Sequence, residues 1–100
     1  MALSVSNAAG VAAGNFVAAI VDGGTAHRFI NAAGTPLNGI ANSLPTVKSI
    51  TQVADPQGTA DGGWKVVLTP AAVDTVNGSS VMSYVLDQNA YFILASTNNG

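Results

Sequence analysis

Turn-forming residues cut this chain into short runs of apolar and polar positions at fairly even spacing, a pattern that predicts strands rather than helices. Asn15–Val21 (NFVAAIV) is apolar on both alternating faces, as expected of a strand covered on both sides. Asp22-Gly23-Gly24 follows as a hairpin turn, because Asp-Gly and Gly-Gly accept the positive φ that tight hairpins need. Ala26–Asn31 (AHRFIN) is the returning strand, with His27 and Phe29 on one face and Arg28 and Ile30 on the other. Residues 32–45 are irregular. Pro36, Gly39 and Pro45 punctuate them, while Leu37, Ile40 and Leu44 are placed to pin the loop to the core. Thr46–Ala54 reads as a strand and Asp55–Gly63 as a turn-rich connection. Trp64–Leu68 alternates, with Trp64, Val66 and Leu68 on one face.

Thr69-Pro70 reads as the start of a short helix. Thr69 would cap it, Pro70 suits the first helical position, and Asn77-Gly78 would supply a left-handed exit. Ser80–Asp87 and Tyr91–Ala95, joined by Gln88-Asn89-Ala90, are expected to pair as a hairpin that gives Val81, Val85, Phe92 and Leu94 to the core. The final STNNG is expected to fray.

Residues 1–14 are rich in Ala and Gly. Gly10 and Gly14 would each cost about 1 kcal/mol relative to Ala inside a helix, so the segment is expected to be an extended arm. Terminal segments order when something ties them down, and this one is expected to pair with a neighbouring subunit. Leu3, Val5 and Val11 are its assembly residues, and removing residues 2–13 is expected to leave the rest folded. The predicted organisation is an N-terminal arm (1–14) and a single β-rich domain (15–100). That domain would be a small sandwich or barrel of about six strands with one short helix.

Composition sharpens this picture. Of 100 residues, 48% are hydrophobic and 8% charged, with a net charge of −2. The 17 Ala, 11 Gly, 9 Asn, 8 Ser and 8 Thr leave a surface that costs little to desolvate. Soluble monomers usually carry a charged surface of mixed sign, so much of this one is expected to lie against neighbours. Three scattered cations cannot neutralise the roughly 6–10 phosphates of ordinary DNA binding, so no nucleic-acid partner is expected. The longest apolar run, residues 8–21, has 14 residues against the roughly 20 that span a bilayer. Arg28, the first basic residue, follows that run, so neither a signal peptide nor a membrane span is expected.

No residue pattern names a chemistry. There is no cysteine, hence no disulfide or thiolate metal site. His27 is the single histidine and no hydroxyl sits in a nucleophile elbow, so it reads as a strand residue rather than a general base. Asp55 and Asp61 flank a loop, but Pro56 and the absence of glutamate defeat the EF-hand spacing. Turn formation accounts for them, and for Asp22. Trp64, Tyr84, Tyr91 and Phe92 could form a sugar-binding platform, yet at 6% aromatics they are expected to fill the core. No catalytic residue, cofactor or metal is assigned.

Small side chains, many Asn, Ser and Thr, and few charges suit closely packed, hydrogen-bonded interfaces that depend little on salt. In size and composition, and in the opening MALSVSNAAG, the chain resembles the small decoration (cement) proteins of tailed-phage heads. The resemblance implies a β-rich, often trimeric virion protein on the capsid surface that clamps neighbouring major capsid subunits. It carries over no functional residue. A secreted or surface carbohydrate-binding β-sandwich module is the alternative, and would need an exposed aromatic cluster with polar neighbours.

Overall fold

A computed structural model describes residues 1–39, 42–56, 58, 62–76 and 78–98. It is a single β-rich domain of seven strands in one antiparallel sheet. The strands are β1 (Leu3–Asn7), β2 (Phe16–Asp22), β3 (Thr25–Arg28), β4 (Thr46–Val53), β5 (Gly63–Val73), β6 (Ser80–Leu86) and β7 (Tyr91–Ala95). Their order is β1-β7-β2-β4-β5-β6, with β3 also on β2. Ile40, Asp61, Asn77, Asn99 and Gly100, which entered the sequence reading, lie outside the described residues.

β2 organises the sheet. One side pairs with β7 along most of its length. The other side is shared: Phe16 pairs with Thr46 of β4, and Ala19–Asp22 pair with β3. The sheet therefore bends at the Phe16–Thr46 contact. It curls far enough for Thr75, just past β5, to donate its N–H to the Arg28 carbonyl of β3 at 3.0 Å. Phe92, Ile20, Val17, Val66, Leu68 and Leu86 pack inside this curl with almost no exposure. The β2–β3 hairpin follows the sequence: Gly23 and Gly24 have φ of 56° and 87°, the values of a type I′ turn.

Several expectations fail. The helix predicted after Thr69 is absent: Gly63–Val73 is one strand through a cis Thr69–Pro70 bond. Past the proline, Ala72 and Val73 pair with Val81 and Ser80 of β6, so the ladder resumes where the helix was expected. The ladder accommodates Pro70, which has no N–H, in a bulge. Pairing with β6 jumps from Val67–Ser83 to Ala72–Val81.

The C-terminal hairpin is also absent. β6 pairs with β5, while β7 inserts between β1 and β2. Asp87–Ala90 carries the chain from one half of the sheet to the other, anchored by buried Leu86 and Ala90. Phe92 is core as expected, Val81 and Leu94 are half-buried, and Val85 is exposed, opposite Lys65.

The N-terminal segment is not a separate arm. β1 pairs with β7 of its own chain over five residue pairs, and Ser96 donates its N–H to the Ala2 carbonyl at 2.9 Å. A 3-10 turn at Ala8–Gly10, capped by the Asn7 side chain, then brings Ala8 and Val11 into the core. The C-terminal residues 96–98 are likewise tied in, since Leu44 donates its N–H to the Asn98 carbonyl at 2.8 Å.

Candidate functional site

The register places a band of apolar side chains on the outer surface of β1, β7, β2 and β3. Across the sheet, Val5 pairs with Ile93, Ile93 with Ala19, and Ala19 with Arg28. The next outward row is Asn7, Tyr91, Val21 and Ala26. The row between them, through Phe92 and Ile20, points into the core, where both residues are fully buried. The outer band includes some of the most exposed large apolar residues in the chain: Val5 at 69%, Leu3 at 51% and Tyr91 at 40%.

The three residues expected to mediate assembly are thus divided. Leu3 and Val5 lie on this open band, whereas Val11 is only 7% exposed and belongs to the core. Sequence reasoning missed Tyr91 and Ile93 as members of the band, because it paired their strand with β6. Their alternation with Phe92 held the necessary signal once the neighbours of β7 are known.

A second cluster lies inside the curl. Asp74, fully buried just after β5, accepts from the Tyr84 hydroxyl at 2.6 Å and from the Val76 N–H at 2.7 Å. His27 Nδ1 stands 3.3 Å from the same carboxylate oxygen that Tyr84 engages. The His27 and Tyr84 rings are 5.0 Å apart, and Phe29 lies 6.1 Å from Tyr84. Burial, then the Asp74 carboxylate, push the Tyr84 phenol well above its ordinary range. The cluster ties β3 to the β5–β6 connection and to β6. Among the described residues no hydroxyl is hydrogen-bonded to His27, so the dyad has an orienting carboxylate and no activated nucleophile. A lone carboxylate in the apolar run AAVDTV was the available sign of this cluster.

At the end of β2, Asp22 faces Asp87, whose N–H points at Asp22 Oδ1 at 3.4 Å. Burial raises the Asp22 carboxyl above its ordinary value, and the neighbouring Asp87 carboxyl adds to this. Asp55 is buried and serves turns: its carbonyl accepts from the Gly58 N–H at 2.9 Å. Among the described residues no three metal-ligating side chains gather. The aromatics form no shared platform among those residues either. Phe92 is core, the Tyr84 hydroxyl is engaged by Asp74, and Tyr91 stands on the outer band.

Comparison with known proteins gives no match: no family model, curated protein or solved structure aligns significantly with the chain.

Proposed function

We propose that this is a non-enzymatic structural protein that works by multivalent, largely non-ionic contact, as a decoration protein on a virus capsid surface. The observation that supports it most directly is the outer band with Leu3, Val5 and Tyr91 open to solvent on a chain with 8% charged residues. Apolar side chains grouped on one sheet face, rather than scattered singly, mark a contact surface. Several such contacts per oligomer add through effective concentration, so a small domain can hold a lattice without one large interface. The capsid setting and a trimeric state rest on the compositional resemblance.

Native mass spectrometry of the purified chain, alone and after incubation with phage capsids stripped of accessory proteins, tests this reading. A closed homo-oligomer that co-sediments with capsids, little affected by added salt, is the expected result. A monomer at high micromolar concentration that leaves capsids bare would overturn it.

A further inference from the structure

The outer band holds a groove of about 290 Å³, open on one side. Its shape follows from side-chain size: Ala19 lies between Ile93 and Arg28 in one cross-strand row, and Ala26 beside Val21 in the next. Directly opposed side chains in a sheet stand roughly 5 Å apart, so an alanine between larger neighbours leaves a dip about one side chain wide. Leu3, Val21 and Ile93 wall this dip with hydrocarbon. Arg28 lines its far side.

Arg28 is the charged member of the lining, and its guanidinium makes no ion pair or side-chain hydrogen bond with any described residue. Its backbone is fixed, by pairing with Ala19 and by the bond from Thr75. A guanidinium stays charged at any ordinary pH and offers parallel donors that match a carboxylate. Hydrocarbon on one side and an uncommitted cation on the other define a complementary ligand.

We propose that this groove binds a small apolar carboxylate, a short alkyl or aryl chain whose carboxyl group pairs with Arg28. The volume lies at the lower end for small-molecule sites, and suits one short chain rather than a full-length lipid. The tail lies over Ala19 and Ala26 toward Ile93 and Leu3. The proposal goes beyond the assembly reading and does not rest on it: the groove shares Leu3 with the proposed contact surface, but ligand binding is read by amide shifts and assembly by mass. Failure of one leaves the other intact.

Titration of the isotope-labelled protein with octanoate, octanol and acetate, followed by backbone amide NMR, tests it. Octanoate is expected to shift the amides of Ala19, Ala26, Arg28 and Ile93 saturably, and octanol to bind the same place more weakly. Arg28→Gln should weaken octanoate about tenfold and leave octanol unchanged, since a charge-assisted pair carries roughly that factor. Ala19→Leu should fill the dip and abolish both, with a well-dispersed spectrum confirming that the fold persists. Equal binding of octanoate and octanol, insensitivity to Arg28→Gln, shifts centred elsewhere, or no saturable shift at millimolar octanoate would each overturn the proposal.

Discussion

The Tyr84 hydroxyl donates to Asp74 Oδ2 at 2.6 Å, inside the curl of the sheet. The carboxylate is fully buried, and Tyr84, the Val76 N–H and His27 are among the groups that offset its lost hydration. Tyr84→Phe keeps the ring packing and removes one charge-assisted bond, and should cost about 1.5–3 kcal/mol in urea unfolding. Asp74→Ala should cost more than Tyr84→Phe, because it removes the acceptor that the Tyr84 hydroxyl and the Val76 N–H share.

The same pair predicts an alkaline limit. The folded state holds the Tyr84 proton more tightly than the unfolded chain does, through burial first and Asp74 second. A group with a raised folded value contributes stability that is complete below its ordinary value, about 10 for a phenol, and is lost as pH rises above it. In a Tyr91→Phe protein, the phenolate absorbance of Tyr84 should therefore appear together with loss of the sheet circular dichroism. Phenolate formation in an intact sheet would contradict the burial argument.

Asp22 gives a prediction of the same sign at acid pH. Burial and Asp87 raise its carboxyl, so its contribution is complete below the ordinary carboxyl value and lost as pH rises through the folded one. At neutral pH the two carboxylates repel. Asp22→Asn removes that repulsion, keeps an acceptor for the Asp87 N–H, and leaves the Gly23-Gly24 type I′ turn untouched. Thermal melts should show this variant more stable than the parent near pH 7, with the advantage shrinking as pH falls toward 4. Lower stability of the variant at neutral pH would count against the repulsion.

Phe92 is fully buried opposite Ile20 on the neighbouring strand. Its truncation to Ala should cost about 3–5 kcal/mol, enough to unfold a marginal domain at room temperature. A well-dispersed, stable Phe92→Ala protein would mean that β7 is not central to the core.

Local patterns were legible in the sequence where they matched their surroundings. The apolar run of β2, the Asp22-Gly23-Gly24 turn and the alternation of Trp64, Val66 and Leu68 all appear as expected. What failed was local chemistry overridden by packing. Thr69-Pro70 carries a helix-start signal, but Ala72 continues the buried face of β5. Partner choice was not legible, because nothing in Tyr91–Ala95 says whether its neighbours are β6 or β1 and β2. The outer band depends on that choice, so Leu3 and Val5 could be picked out while Tyr91 and Ile93 could not. The Asp74 cluster joins residues 47 positions apart, beyond the reach of spacing arguments.

The N-terminal segment separates buried core from an exposed apolar face within a dozen residues, and this yields a contrast. Val11 and Ala8 are packed into the core, while Val5 points outward from an edge strand. Val11→Ala removes two buried methyl groups and should cost about 1–2 kcal/mol. Val5→Lys lies on an exposed face and should change stability by less than about 0.5 kcal/mol. In assembly the order should reverse: sedimentation should show Val5→Lys weakening self-association or capsid attachment, and Val11→Ala leaving it unchanged under conditions where the domain stays folded. Deleting residues 2–13 removes β1 and both buried residues at once, and should lower the melting temperature sharply rather than leave an intact domain. A deletion variant that melts like the parent would mean that the segment is a connector after all, with its burial energetically idle. Val5→Lys with unaltered assembly would instead remove the outer band from the contact surface.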